Sequence, residues 1–364
     1  MYGNELIMVF GFGKKRPQQT FKQRVSTFWD WYQENSEQLF QITENGEPDE
    51  ISDFVAPFMD VTLPGLAWVF GPGETGGHSF TLSGEGNVPK QLLAAYWHSR
   101  ARQIPHWSFH ASRQASSLES LRTMAISVGR GVSVDAVHLL IQPTVDAKSE
   151  SIDIVAWHPA FEQLPEPDRL QILFLLLDEA LGEFGTEMWL GEISAAPIIR
   201  DDKTITVATL PEKIQQVNAY YQWEKLTPLQ SYSGYEVKKQ ANGLRGDTIV
   251  GSTCIPNVIS DFLDNKGRLK DNPLKGTGAS FAYLALEKSL FPSGQEVEVR
   301  GNIEDAVGDA LENTESGRTL GGAFGTAHSY IDLLFFDGEH SEQVVNKMLD
   351  QLQLTDRAKL VFMK

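Results

Sequence analysis

Three groups of residues in this 364-residue chain have types and spacings that can do chemistry. The stretch "TLGGAFGTAHSYIDLLFFDG", residues 319 to 338, sets Gly321, Gly322 and Gly325 ahead of an apolar run, as a phosphate-cradling loop would. Such a loop works because its backbone N–H groups and the N-terminus of the helix directly after it point at the anion. Here the glycines run into Ser329 to Phe336, which reads as strand, and neither GxxxxGK[ST] nor GxGxxG is in place. The glycines are therefore expected to serve packing, by letting a neighbouring element approach or by bending the strand. Asp332 lies on the same strand face as Tyr330, Leu334 and Phe336. If that face is buried, Asp332 needs a partner such as Arg245, Arg300 or Arg318.

The second group is histidine: His78, His98, His106, His110, His138 and His158 all fall in the first half of the chain. His106 and His110 share a strand face but stand roughly 13 Å apart at about 3.3 Å per residue, too far for one metal ion. The third group, in "LLLDEALGEFG", sets Asp178, Glu179 and Glu183 at a helix C-terminus, where the helix dipole disfavours negative charge. Such a placement marks either a functional carboxylate cluster or a solvated helix end. There is no GxSxG, no HExxH and no cysteine with a partner histidine, and Arg245 to Asp247 form an RGD tripeptide that means adhesion only on an exposed extracellular loop.

The elements that must position these residues follow from periodicity. Phe21, Val25, Phe28, Trp29, Tyr32, Leu39 and Phe40 recur at helical spacing, so 20–45 is expected to be a helix with one aromatic face. "GEP" ends it, and Ile51, Phe54, Val55 and Phe58 make a second amphipathic helix. Strands are expected at 66–70, 79–83, 107–112, 133–142, 152–158 and 187–194, with helices at about 88–102, 117–128 and 166–182. The second half reads as a helix at 211–226, strands at 235–239, 247–255, 279–288 and 296–300, a helix from Asn302 to about 314, the glycine-rich strand, a helix at 341–353 and a closing strand AKLVFM. "FTLSGEG", a helix and "WSFHAS" echo "LFFDGEH", a helix and "AKLVFM", the strand–turn–helix–strand of a split βαβ sheet.

The fold class expected is α+β: two tandem domains, each a mainly antiparallel sheet with helices packed on one face. Residues 1–18 are a flexible N-terminal segment, 19–198 an acidic α+β domain and 205–364 a C-terminal α+β domain, with the boundary in "AAPIIRDDKT". Either Met1 or Met8 can be the natural start.

Charge narrows the function. A net charge of −17 argues against nucleic acid and anionic membrane as partners, and no run approaches about 18 uninterrupted apolar residues. One cysteine, Cys254, excludes an internal disulfide framework, and the apolar run of "MYGNELIMVFGFGKKRP" precedes its basic residues, the reverse of a secretory signal; a cytoplasmic location is expected. Between Val25 and Pro89 there is no Lys or Arg, yet Asp30, Glu34, Glu37, Glu44, Glu47, Asp49, Glu50, Asp53, Asp60, Glu74 and Glu85 all occur. The next stretch is basic, with Lys90, Arg100, Arg102, Arg113, Arg122 and Arg130 against Glu119 alone.

"FKQRVSTFWDWY", "LPGLAWVFGPG", "FTLSGEG" and "IPHWSFHASR" resemble segments of uncharacterised bacterial proteins of the domain-of-unknown-function kind, over about the first 200 residues. The resemblance implies a bacterial cytosolic α+β protein and carries over no activity and no functional residue.

The function expected is non-catalytic: a protein-binding or inhibitory role, of the immunity type, in which Asp30, Glu34, Glu37, Glu44, Asp49, Glu50 and Asp53 meet a partner with a basic surface. No cofactor and no metal ligands are expected. A solvated acidic surface without a partner and a hydrolase or metal-dependent enzyme are the alternatives.

Overall fold

The structure is a computed structural model, and it describes residues 18–46, 48–73, 76–128, 131–196, 203–238 and 241–364. The expected flexible segment, up to residue 17, and most of the expected boundary, at 197–202, lie outside the described residues.

The chain opens with two helices, α1 (Phe21–Asn45) and α2 (Pro48–Thr62), followed by β1 (Ala67–Pro72), β2 (His78–Ser83), α3 (Val88–Ser99) and β3 (Trp107–His110). A middle section runs α4 (Leu118–Thr123), β4 (Ala125–Val128), β5 (Val132–Asp135), β6 (Leu140–Asp146), β7 (Ser151–Trp157), α5 (Glu166–Leu181), α6 (Glu183–Trp189), β8 (Leu190–Ala195) and β9 (Ile205–Thr206). Then come α7 (Leu210–Tyr221), β10 (Ser233–Glu236), β11 (Thr248–Thr253), α8 (Pro256–Asp264) and β12 (Ser280–Glu287). The chain ends with α9 (Glu296–Asn313), β13 (Gly317–Gly325), β14 (His328–Phe335), α10 (Glu339–Gln351) and β15 (Ala358–Phe362).

The protein is α+β, with mainly antiparallel sheets. The largest has the order β10-β11-β13-β14-β12-β15 and is antiparallel throughout. Within it β12-α9-β13-β14-α10-β15 follows the split βαβ order of a ferredoxin-like sheet, because β14 and β15 both pair with β12. The echo between "FTLSGEG" and "LFFDGEH" is one of connectivity only, since β2 and β3 pair directly and in parallel. The other sheets are β1-β2-β3, β4-β5 and β8-β7-β6-β9.

Four expected elements differ. The helix expected at 117–128 stops at Thr123, and its last residues form β4, which pairs with β5. The strand expected at 296–300 is the first turn of α9, where Glu296 and Glu298 suit the positive end of the helix dipole and the apolar face continues through Ile303, Val307 and Leu311. The strand expected at 133–142 is two strands, divided by a turn in which the Asp135 carboxylate accepts the His138 backbone N–H at 2.9 Å. The strand expected at 187–194 begins as the end of α6.

The apolar clusters do not follow the expected segments. The largest joins Phe21 to Trp107 with Cys254 to Met363, while residues between Leu121 and Trp223 form another. Alternate residues of β12 fall in different clusters: Phe281, Tyr283 and Ala285 meet the N-terminal helices and α8, and Ala282, Leu284 and Leu286 meet α9 and α10. Where one covered face was expected, this sheet is therefore buried on both. Such double burial removes the polar half of the alternation, and "SFAYLALE" is accordingly almost wholly apolar.

At its N-terminus α1 is clamped to that sheet. Thr20 caps the helix through a capping box with Gln23, and its hydroxyl donates to Asp337 at 2.9 Å. Lys22 N–H donates to the Phe336 carbonyl at 2.8 Å, and the rings of Phe21, Tyr96 and Phe336 pack together. Further along, Trp29 stacks on Trp97 at 4.9 Å and Trp31 on Phe58 at 4.1 Å, which fixes α1 against α3 and α2. Gly46, in the left-handed region at φ 70°, ends α1, and Pro48 opens α2.

The glycine-rich stretch is a strand, β13, in the middle of the large sheet. A Cβ on Gly322 would collide with the Tyr330 carbonyl oxygen and the Arg300 guanidinium, and one on Gly325 would stand 2.5 Å from Asp247 Oδ2. Asp332, opposite, is fully buried and pairs with Arg245, one of its expected partners. The Arg245 guanidinium also lies 4.8 Å from the centre of the Tyr330 ring. Replacing Gly325 by Val is expected to cost about 1–3 kcal/mol by overpacking against Asp247. A denaturant titration reads this as a lower midpoint at unchanged slope. An unchanged midpoint would show that the strand has room for a side chain.

Candidate functional site

Burial of one face of α1 decides where its acids go. Phe21, Val25, Phe28, Trp29, Tyr32, Leu39 and Ile42 are buried, and Asp30, Glu34, Glu37 and Glu44, which at about 100° per residue fall within an arc of roughly 80°, are all exposed. On α2, Asp49, Glu50, Asp53 and Asp60 are exposed as well. Glu47 and Glu74 lie outside the described residues.

Of the basic stretch that follows in sequence, Arg102 reaches an acid of this face among the described residues. Arg102 Nη2 lies 2.5 Å from Asp30, Arg113 Nη2 lies 2.7 Å from Glu85, and His78 Nε2 lies 2.9 Å from Glu44. Arg100 is used elsewhere, on Glu315. Glu34, Glu37, Asp49, Glu50, Asp53 and Asp60 make no ion pair among the described residues. The expected partner-binding residues are thus exposed on α1 and on α2, with Asp30 paired to Arg102 and Glu44 beside His78.

Beside this surface runs a groove of about 620 Å³, between the α1–α2 junction and β1. Its walls include Thr43, Ile51 and Ser52 on one side and Trp68, Val69 and Phe70 on the other. β1 is the outermost strand of its sheet and pairs only with β2 among the described residues. The groove does not follow from the sequence, yet the proline that closes "LAWVFGP" is compatible with an edge position, where a strand can lack an N–H donor.

Asp178 and Glu183 line a second cleft, of about 750 Å³, with Glu85, Glu187 and Arg113. Glu183 is not at a helix C-terminus but opens α6, after Gly182 at φ 73°. Its buried carboxylate accepts from Ser83 Oγ at 2.8 Å, Gln91 Nε2 at 2.9 Å, Gly86 N at 3.2 Å and Arg113 N at 3.3 Å. These four donors hold the β2–α3 turn and the segment after β3 to the α5–α6 corner, and they leave the carboxylate little capacity to act on a ligand. Burial pushes the Asp178 carboxyl up to about 6; the Thr186 hydroxyl opposes the rise and the Glu183 charge adds to it. Glu179 instead accepts from Ser116.

His106 and His110 meet no common metal position, but His138 and His158 approach Asp135 from the two sides of the β5–β6 turn. His138 Nδ1 lies 2.8 Å from Asp135 Oδ1, and the buried His158 Nε2 lies 3.4 Å from Asp135 Oδ2. His158 Nδ1 accepts the Ala160 N–H at 3.0 Å, so in the neutral ring the proton sits on Nε2 and faces the carboxylate. That tautomer offers a metal no lone pair at Nε2; the hydrogen bonds that brace the turn run from His138 to Asp135, with His158 Nε2 facing the same carboxylate. Cys254 is buried and its thiol is pushed up to about 11 by burial, which leaves it unreactive. The RGD tripeptide is folded inside, with Arg245 1% and Asp247 8% exposed, so it is no adhesion loop. No described helix is long and apolar enough to cross a membrane.

Comparison with protein-family models, with curated proteins and with solved structures finds no match for this chain.

Asp178 gives the site a pH signature. The folded chain holds this proton to a higher pH than the unfolded chain does, so folding binds a proton between pH 3.8 and about 6, and stability falls as pH rises through that window. Asp178→Asn is expected to flatten the fall, with the difference from the native chain growing by up to about 3 kcal/mol across the window. Denaturant midpoints measured from pH 4 to pH 7 check it; parallel profiles for the two proteins would contradict it.

Proposed function

We propose that this protein is a non-catalytic binding protein whose acidic face on α1 and α2 docks a partner with a basic surface. The observation that carries the reading is the set Glu34, Glu37, Asp49, Glu50 and Asp53: exposed on two consecutive helices and without ion pairs among the described residues. Clustered like charge repels itself, and the same field accelerates the approach of an opposite charge. A cytosolic inhibitor of the immunity type, set against a cationic toxin, is the form of this reading that suits the bacterial resemblance of the first 200 residues.

The 750 Å³ cleft supports a second reading, hydrolysis, because the Asp178 carboxyl, raised to about 6, titrates where a general acid works best. The four donors on Glu183 count against it, since they occupy the neighbouring carboxylate that would have to be base or nucleophile.

Selection of random displayed peptides on the full chain tests the first reading. Enriched peptides are expected to be rich in Lys and Arg. Reversing charge at Glu34, Glu37, Glu50 and Asp53 is expected to slow their association at low salt, with the loss shrinking as salt rises, because steering is screened over about 8 Å at physiological ionic strength. Folding is expected to be retained, since exposed charges contribute within about 0.5 kcal/mol each. Enrichment of neutral or acidic peptides, or association rates that the reversal leaves unchanged at both salts, would contradict it.

A further inference from the structure

We propose that the groove beside β1 takes an extended, cationic segment of the partner protein as an added strand. This rests on the acidic-face reading and names how the partner is held.

The first support is the edge itself. The outer side of β1 pairs with no strand among the described residues, and the strand AWVFGP carries no charged residue. Natural edge strands are usually guarded by charge, bulges or proline, because their free N–H and C=O groups template another chain. Here only Pro72, at the far end, does so. An unguarded edge is a liability unless a partner uses it.

The second support is the shape and polarity of what lies alongside. Trp68, Phe70 and Ile51 supply apolar wall in a groove of about 620 Å³, within the usual ~300–1,000 Å³ of ligand pockets. An added strand sends alternate side chains to opposite faces, so apolar residues at every second position can enter the groove while those between stay at its rim.

The third support is charge. Thr43 and Gly46 put the C-terminal end of α1, the negative end of its dipole, on the groove; Glu44 beside them contacts His78, which also lines the groove, so the negative potential comes from the helix end and from α2. The positive end of α2 is offset by Asp49 and Glu50 in its first turn, and Asp53 follows one turn later. No Lys or Arg lines the groove. An occupant with lysine or arginine between its apolar residues matches both features. A second copy of this chain does not, because pairing β1 with β1 would bring two acidic rims together.

Calorimetric titration of the full chain with a synthetic peptide that alternates valine or phenylalanine with lysine tests the proposal. Two further peptides carry N-methyl groups on alternate residues, one in each register, and so lose the donors of one edge or the other. The parent peptide is expected to bind, and one of the two N-methylated registers is expected to bind at least about tenfold more weakly. Ser52→Trp, which fills the groove from an exposed position without adding charge, is expected to weaken the parent peptide by a similar factor at unchanged melting temperature. Absence of binding by the parent, equal binding of all three peptides, or unchanged binding to Ser52→Trp would overturn strand addition, as would a dimer of the native chain in sedimentation that Ser52→Trp dissolves. In each case the acidic-face reading stands or falls separately, on the charge-reversed variant.

Discussion

The burial of one face of α1 is the constraint on which the rest of the structure depends. Phe21, Phe28, Trp29, Tyr32 and Leu39 are all enclosed, and each is worth about 1.5–3 kcal/mol on burial. Repulsion among the exposed acids on the opposite face is smaller, within about 0.5 kcal/mol for each charge. Packing therefore wins, and the helix cannot rotate to spread its carboxylates. The same face ties the two ends of the chain together, since Phe21 and Tyr96 close on Phe336 from the large sheet. An acidic surface held this firmly costs little to present, because its backbone is ordered by contacts that have nothing to do with binding.

β1 sits at the limit of that packed body. Its Trp68 and Phe70 side chains contact Phe80 on one face, which anchors the strand, while its outer edge pairs with no strand among the described residues and its residues line the groove. Anchored side chains and a free backbone edge together make a rigid template. The carboxylate cleft is built in the opposite way: Glu183 spends its acceptors on holding three segments in place, and what remains available to a ligand is chiefly Asp178 and Glu187. Of Asp135, His138 and His158, the buried His158 is likewise turned inward, its Nδ1 held by the Ala160 hydrogen bond. On α1 and α2, by contrast, Glu34, Asp49, Glu50 and Asp53 face outward without an ion pair among the described residues.

What was legible in the sequence was local. The aromatic spacing of α1, its stop at Gly46 and Pro48, the structural role of Gly322 and Gly325, and the need of Asp332 for an arginine all follow from residues near one another or from a buried charge that must be matched. What was not legible depends on which strands are neighbours. That β1 is an edge, that β12 is covered on both faces, that Glu183 reaches Ser83 and Gln91, and that His158 returns to Asp135 are consequences of pairing across the chain, which periodicity does not encode. The misread strand at 296–300 shows the same limit from the other side: "EVEVR" alternates with period two, yet it is the start of a helix whose burial begins farther on, at Ile303.

The central claim is that partners dock where the α1–α2 junction meets the edge of β1. Hydrogen–deuterium exchange of the full chain, with and without a saturating concentration of the tightest displayed peptide, tests it directly, because a strand added to β1 protects amides that otherwise face solvent. Slowed exchange is expected in Trp68 to Gly71 and at the start of α2, with the walls of the carboxylate cleft, Gln171 to Ile193, unchanged. Protection confined to the cleft walls, with β1 exchanging as in the free chain, would contradict the account.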